Sequence, residues 1–335
     1  MRYSLVELAP VAPGGTKREA LDRALAAAEE AEHLGFHRFW FAEHHHVRGY
    51  AAQDPAPLIA AAAQRTRRIR LGSGAVLLNH YSAFSVAERF LMLESLAPGR
   101  IDLGLGRATA TPLIDYALRR DRNSQPADDF HDQVQEIIGY LHKAFDRAHP
   151  FAAIDLTAGI DGIPEVWVLG SSGASAGLAA RLGIGYTFGG HINPDLTSRA
   201  LRHYREAFTK TPFGTGGPQP MLALNIVAAD DEEQAHQLTW PARALRAGGR
   251  DRPIPTLEQA RAELSAAAKA QPSTIAGGVI PPQISGTPAT LRAQLEPMIR
   301  ESGATEVMVQ DMLTDSAART RSRQIIAEAL QSITI

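Results

Sequence analysis

Three segments near the start of the chain carry side chains that are able to do chemistry. They are Phe39–His44, Leu71–Leu78 and Arg100–Arg107. Each reads as a short apolar strand that ends in glycine, a charge or an imidazole, and each follows a segment long enough for a helix. In a closed barrel of parallel strands, side chains at the strand ends lie on the catalytic face. This placement predicts an enzyme.

The first group is Glu43-His44-His45-His46. If the strand extends this far, Glu43 and His45 point to one face and His44 and His46 to the other. A histidine in the barrel mouth is suited to general acid–base work near neutral pH. Two other interpretations stay open, a metal site and purely structural imidazoles. Adjacent ligands are poorly placed around one tetrahedral ion, and no later acid–histidine pair obviously completes the set, so we expect no bound metal.

The next two strands end in glycines and an arginine. Gly72 and Gly74 indicate close approach of a ligand or another backbone, or alternatively a tight barrel corner. Arg107 offers an always-charged fork suited to phosphate or carboxylate, or alternatively a surface ion pair with Asp102 or Asp115. The pattern Gly104-Leu-Gly-Arg107 fails as a dinucleotide fingerprint because position 109 is threonine.

A strand, a Gly/Ser turn and a helix follow one another around residues 168–183. Free backbone N–H groups at the start of that helix, together with nearby hydroxyls, favour an anion and most naturally a phosphate. The residues concerned are Gly170, Ser171, Ser172 and Ser175. Ordinary helix capping is the alternative interpretation of the same residues.

Aromatic and imidazole side chains mark the following strand. Tyr186 and Phe188 are suited to packing against a flat ring, and His191 falls just past the strand end. We therefore expect these three residues in the substrate pocket. The alternative is that the rings belong to the core and that Asn193 is a capping residue.

Eight strand patterns alternate with helical patterns along the chain. The predicted strands cover residues 3–8, 36–42, 70–78, 101–105, 165–169, 186–188, 221–228 and 306–310. Eight regular units favour a closed (β/α)₈ TIM barrel over an open doubly wound sheet. Long connections predict insertions after strands four and seven. We expect one domain over residues 1–335, with residues 240–285 as a lid or insertion, and a polar connection over residues 107–125.

Composition narrows the class of protein. The chain has 335 residues, a net charge of -2 and no cysteine, which excludes disulfides, thiolate metal sites and cysteine nucleophiles. The charge gives no indication of a nucleic-acid or membrane surface. We find no signal peptide and no long apolar span, so the default expectation is a cytoplasmic protein.

Taken together, these segments resemble the bacterial luciferase-like flavin monooxygenases. The resemblance covers most of the first 195 residues in the family order, and the C-terminal third matches mainly in its last strand and last helix. The luciferases proper carry an acidic residue where Ser171 stands, and His45-His46-Val47-Arg48 departs from the commoner pattern. The matching segments are Phe41–His45, Arg70–Leu77, Ala87–Glu88, Leu96–Arg107, Leu169–Ser172 and Tyr186–Phe188 with His191.

The resemblance implies a cofactor, a chemistry and roles for residues. Reduced FMN, supplied by a separate flavin reductase, would react with O₂ to give a C4a-peroxide that oxidises an aldehyde or a similar small molecule. His44 would be the catalytic acid or base, and a non-proline cis peptide at Gly74–Ala75 would lie under the flavin ring. The cofactor-binding residues implied in this way are Glu43, Gly74, Ala75, Arg107, Gly170, Ser171, Ser172 and Ser175.

Some alternatives remain open within and beyond the family. A homodimer is the expected assembly. Some relatives use a deazaflavin coenzyme in place of FMN, and others are non-catalytic partner subunits of unequal heterodimers. A metal-dependent hydrolase barrel, indicated by the histidine run, is a fourth interpretation.

Overall fold

Eight parallel strands close into one barrel in the structure, a computed structural model that describes residues 1–107, 110–119, 121–123, 128–249 and 251–334. The last strand pairs with both the first and the seventh, so these eight strands form a closed ring. This confirms the predicted (β/α)₈ barrel. The strands are β1 (Arg2–Glu7), β2 (Arg38–Phe41), β3 (Arg70–Ser73), β4 (Ile101–Gly106), β5 (Glu165–Gly170), β6 (Gly185–Gly189), β7 (Pro220–Ala228) and β8 (Glu306–Gln310).

The third strand is interrupted, whereas the sequence predicted an unbroken strand over residues 70–78. After Ser73 the chain passes through a cis peptide at Gly74–Ala75, which confirms the expectation drawn from the resemblance. It then resumes as a two-residue strand, Val76–Leu77, along β4. The Ser73 hydroxyl replaces the missing ladder contacts, because it donates to the Gly104 carbonyl and accepts from the Gly104 N–H, at 2.9 and 3.0 Å.

Thirteen α-helices surround or extend the barrel in the described residues, and two short 3₁₀ turns cover Leu78–His80 and Pro194–Leu196. The first helix begins with a capping box, which the sequence pattern Thr16-x-x-Glu19 predicts and the structure confirms, since each side chain bonds the backbone N–H of the other residue. The helices are α1 (Lys17–His33), α2 (Pro55–Arg65), α3 (Ala83–Leu96), α4 (Pro112–Leu118), α5 (Phe130–His142), α6 (Gly173–Leu182), α7 (Thr197–Glu206), α8 (Glu232–Gln237), α9 (Trp240–Gly248), α10 (Leu257–Glu263), α11 (Ala266–Lys269), α12 (Pro288–Ser302) and α13 (Ser316–Gln331).

Both predicted insertions are present, and both contain structure that the sequence pattern did not reveal. The connection after β4 includes α4, although residues 107–125 were predicted as a polar connection; residues 108–109, 120 and 124–125 of that prediction lie outside the described residues. The segment after β7 contains α8 to α11 and ends in a strand, Ile284–Gly286, that pairs with the end of β7. Helices α9 to α11 fall in the predicted lid over residues 240–285, of which residue 250 lies outside the described residues. That this segment forms a lid stays a prediction.

A buried cluster of charges fills the barrel at the N-terminal ends of the strands. Arg38 bonds Asp102 at 2.9 Å and Glu306 at 3.2 Å, and its side chain is 1% exposed. Arg70 adds a second guanidinium on Asp102, at 2.6 Å. Although burial works in the opposite direction, Arg38 and Arg70 hold the pKa of Asp102 below its usual value. Charges at this end of such a barrel contribute to stability, since the chemistry lies at the other end.

Among the described residues, no helix is both long and apolar enough to cross a membrane.

Candidate active site

A cavity of about 1040 Å³ opens at the C-terminal ends of the strands. Its volume suits a cofactor together with a small substrate, and its position is that of the active site in barrels of this kind. Most of the predicted site residues line it together. They are Glu43, His44, Gly74, Ala75, Arg107, Gly170, Ser171, Ser172, Ser175 and His191.

The loop after β2 brings the histidine run into the cavity. Because β2 ends at Phe41, the strand does not extend far enough for the predicted alternation of faces, and all four residues from Glu43 to His46 line the cavity. The backbone N–H of His44 donates to the Ala52 carbonyl at 3.0 Å. Its ring lies 4.8 Å from the ring of Tyr50. The loop therefore presents the His44 imidazole to the cavity on a backbone that is hydrogen-bonded in place.

Glu43 is a buried carboxylate with partners on both oxygens. Oε1 accepts from His45 Nε2 at 2.7 Å and from the Tyr81 hydroxyl at 3.1 Å, and Oε2 accepts from the Leu77 N–H at 3.2 Å. Burial alone would raise the pKa of Glu43, but the neighbouring His80 and His45 lower it. Glu43 thus ties the loop after β2 to the segment that follows the cis peptide.

Arg107 lies at the rim of the cavity, one residue after the end of β4. Its guanidinium pairs with Asp128 at 3.5 Å, and both side chains are largely exposed. The ion pair considered from the sequence involved Asp102 or Asp115, and neither is the partner, because Asp102 belongs to the buried cluster and Asp115 accepts from His80. An exposed pair of this length is weak, so the guanidinium is available to an anion.

The Gly/Ser turn after β5 leads directly into α6, as the sequence predicted. Ser172 precedes the helix without a side-chain cap, so the first backbone N–H groups of α6 are open to an anion. The Ser175 hydroxyl instead donates to the Ser172 carbonyl at 2.9 Å. Gly170 is required here, because a Cβ at that position would collide with the Ser175 hydroxyl.

Tyr186 and Phe188 do not line the cavity, and the prediction that they form the substrate pocket is wrong. Both rings are fully buried on the helix side of β6, where the Tyr186 ring lies 5.4 Å from that of Tyr204 on α7. Thr187 and Gly189 of the same strand line the cavity instead. Tyr186 still contacts the site from behind, because its hydroxyl donates to the Ser172 carbonyl at 3.1 Å.

His191 lies in the cavity wall, and its contact with substrate stays a prediction. Its Nδ1–H donates to the Ala223 carbonyl at 3.2 Å, and burial lowers its pKa below the usual value. A neutral ring held in this way keeps Nε2 as a hydrogen-bond acceptor.

Several cavity residues were missed from the sequence. Apolar side chains from the inward-facing positions of the strands form the floor, namely Val6, Trp40, Leu169 and Met308. The alternation of side chains along a strand could have identified them, once it was known which alternate residues of each strand point into the barrel. His80 was also missed; it lies in the turn after the interrupted third strand and beside the cavity, where its Nδ1 is 3.9 Å from Glu43 Oε1.

The fold and this cavity define the class of protein as a barrel enzyme whose site can hold a ring above an apolar floor and an anionic group at the rim. The family model described as "Luciferase-like monooxygenase" matches residues 1–306. The chain belongs to this family, and it is an oxygen-incorporating oxidoreductase.

Relatives along the chain agree with this placement. A luciferase-like monooxygenase of Escherichia coli (strain K12) is 33% identical, over 99% of this chain and 97% of its own. The N-acetyl-S-alkylcysteine monooxygenase of Bacillus subtilis (strain 168) is 34% identical, over 79% of each chain. Among solved structures, apo-MsnO8 superposes with a TM-score of 0.87 at 36% identity and 98% coverage of both chains.

More distant structures share the fold alone. The oxygenating constituent of 3,6-diketocamphane monooxygenase from Pseudomonas putida, solved in complex with FMN, has a TM-score of 0.72 at 20% identity, over 100% of this chain and 99% of its own. An F420-dependent secondary alcohol dehydrogenase has a TM-score of 0.66 at 12% identity, over 98% of both chains. The fold therefore accommodates both flavin and deazaflavin coenzymes.

Proposed function

We propose that this protein is an FMN-dependent monooxygenase that takes reduced FMN from a separate reductase and uses O₂ to oxidise a small organic molecule. The observation that carries the proposal is the division of one cavity into an apolar floor and an anion-binding rim. Val6, Trp40 and Met308 line the floor, while Arg107 and the Ser171–Ser172 turn lie at the rim. FMN has the same division, with a flat ring at one end and a phosphate at the other.

The residues present fit this cofactor at each end. Gly74, Ala75 and Gly106 line the cavity next to the floor, and their small size leaves room for a ring. A Cβ on Gly106 would lie 3.0 Å from that of Ala75, so a larger residue would intrude there. At the rim, the open N–H groups of α6 and the guanidinium of Arg107 are donors suited to phosphate.

Bound reduced FMN would supply the two electrons with which one oxygen atom of O₂ enters the substrate and the other leaves as water. The protein orients the reactants, excludes water and moves protons. His44 is the residue we assign to proton transfer, since its imidazole lines the cavity and histidine is the side chain best suited to general acid–base chemistry. Glu43 and Leu77 hold the neighbouring segment in place through their 3.2 Å hydrogen bond.

The proposal extends to the assembly. A homodimer is supported by Met92 and Leu96 of α3, whose apolar side chains are 61% and 52% exposed and would be covered by a second copy. Light scattering on the purified protein measures the molecular mass that decides this point.

Replacing Arg107 with alanine tests the position of the phosphate. We expect FMN to bind about 10- to 100-fold more weakly, because a charge-assisted guanidinium–phosphate contact is worth about 1.5–3 kcal/mol, while riboflavin affinity stays nearly unchanged. Titration of each reduced coenzyme under anaerobic conditions measures both constants.

Arg292→Ala is the matched control, because Arg292 is also an exposed arginine in a 3.5 Å ion pair but lies on α12, outside the cavity. It should leave both affinities unchanged. Equal losses for FMN and riboflavin in Arg107→Ala would show that Arg107 does not hold the phosphate. Tight binding of F420 with none of FMN would replace the proposed cofactor with a deazaflavin.

A further inference from the structure

Three side chains from two connections converge beside the cavity. Glu43 and His45 follow β2, and His80 ends the 3₁₀ turn after Val76–Leu77. His45 Nε2 lies 2.7 Å and His80 Nδ1 lies 3.9 Å from Glu43 Oε1. One possible ligand atom from each residue lies within 4.8 Å of the other two. Two imidazoles and a carboxylate form a ligand set that zinc and related transition metals accept.

The two ring nitrogens of His80 have different surroundings. Its Nε2 bonds Asp115 Oδ1 at 3.0 Å, and its side chain is only 4% exposed. Its Nδ1 is buried and has no hydrogen-bond partner within the described part of the chain. A carboxylate on one ring nitrogen, with the other nitrogen directed at the ion, is the arrangement found at metal-ligating histidines. Here the other nitrogen, Nδ1, lies 3.9 Å from Glu43 Oε1, and an ion bound between them would take the place of a proton on Nδ1.

The spacing of the three atoms suits one small ion. Bonds of about 2.0–2.1 Å in a tetrahedral site place neighbouring ligand atoms about 3.3–3.4 Å apart. The two separations from Glu43 Oε1, 2.7 and 3.9 Å, lie on either side of that value, and all the ligand atoms lie within 4.8 Å of one another. An ion at this point would replace the proton that His45 now shares with Glu43, so no ligand needs to leave its turn.

We propose that Glu43, His45 and His80 bind a divalent transition-metal ion, with zinc as the best-matched occupant and Asp115 as the carboxylate that orients His80. The three ligands come from the connections after β2 and β3, and Asp115 comes from α4 after β4. The ion would therefore join three neighbouring connections at the cavity wall and fix the loop that carries His44. This differs from the expectation of no bound metal, which found the adjacent histidines poorly placed and no later acid–histidine pair to complete the set, and so missed His80. The proposal does not depend on the identity of the coenzyme.

The test is zinc binding to the coenzyme-free protein after treatment with a chelator. Competition against a chromophoric chelator gives the dissociation constant, and Co²⁺ in place of zinc gives a visible absorption band that reports tetrahedral coordination. We expect His80→Asn to abolish the Co²⁺ band and to weaken zinc by more than 100-fold, since a ligand is lost. Asp115→Asn should weaken zinc by about 10- to 100-fold, the usual effect of losing a carboxylate that orients a ligating histidine.

His131→Asn is the matched control, because His131 lines the same cavity but lies outside the cluster. It should bind zinc like the unchanged protein. Circular dichroism shows whether each variant is folded. If His80→Asn does not fold, zinc binding by folded Asp115→Asn still decides the test. Zinc binding by the unchanged protein that is no tighter than in folded His80→Asn or Asp115→Asn would overturn the proposal and leave a hydrogen-bonded network only.

Discussion

Replacing His44 with alanine lowers turnover by about 10²–10⁴-fold, the usual contribution of a general acid or base, while coenzyme affinity stays nearly unchanged. The reason is positional. His44 lines the cavity just past the end of β2, and its backbone is held by Ala52, so the variant loses an imidazole without losing the loop. Turnover, coenzyme affinity and the thermal midpoint measured on one preparation separate catalysis from folding.

His44→Gln is the matched control, because glutamine retains a hydrogen-bonding group but cannot transfer a proton near neutral pH. It should be as slow as the alanine variant, and added imidazole should partly restore the rate of His44→Ala. If the histidine only packs against Tyr50, the alanine variant instead shows a lower thermal midpoint and an almost unchanged rate per folded molecule. A stable variant with full turnover contradicts the catalytic assignment.

Replacing Asp102 with alanine destabilises the fold by about 3–5 kcal/mol, because it leaves buried guanidinium groups without their counter-charge. Asp102 accepts from Arg38 at 2.9 Å, from Trp40 at 2.8 Å and from Arg70 at 2.6 Å, and its side chain is fully buried. Chemical denaturation of the purified protein without added coenzyme measures the change in the free energy of unfolding.

Asp230→Ala serves as the matched control, because Asp230 also pairs with an arginine, Arg321, but is exposed. It should leave the denaturation midpoint almost unchanged. The pKa of Asp102 is lowered in the fold, so its contribution is present above the pKa of an unfolded aspartate and is lost as the pH falls. The difference in the free energy of unfolding between Asp102→Ala and the unchanged protein should therefore become smaller as the pH falls. An equal loss in Asp230→Ala would contradict the role assigned to burial.

The barrel and much of its rim could be predicted from the sequence because both depend on local signals. Strand patterns, capping residues and glycines recur along the chain, and parallel strands that close into a barrel bring their C-terminal ends to one face. Arg107 and Ser171 lie at that face for this reason alone, although they are far apart in sequence. The start of α1 was predictable for the same reason, because the capping box of Thr16 and Glu19 lies within four consecutive residues.

Two kinds of feature could not be predicted: which alternate side chains of a strand face the inside of the barrel, and which residues far apart in sequence come into contact. Tyr186 and Phe188 occupy the same strand as Thr187, and only the closed barrel decides which side of that strand faces inward. His80 gives no local signal, since it meets Glu43 only after the third strand breaks at Gly74–Ala75. A continuous strand, as the pattern indicated, would have carried the chain along a different path.

The charged cluster around Arg38 and Asp102 closes the barrel at the N-terminal ends of its strands, opposite the cavity. That end of the barrel is filled by paired charges, and in the described part of the chain the cavity opens at the C-terminal face. For molecules that enter by this opening, the one that binds deepest has to arrive first and leave last. We therefore expect the closed N-terminal end, as well as the residues at the site, to set the order of binding and release.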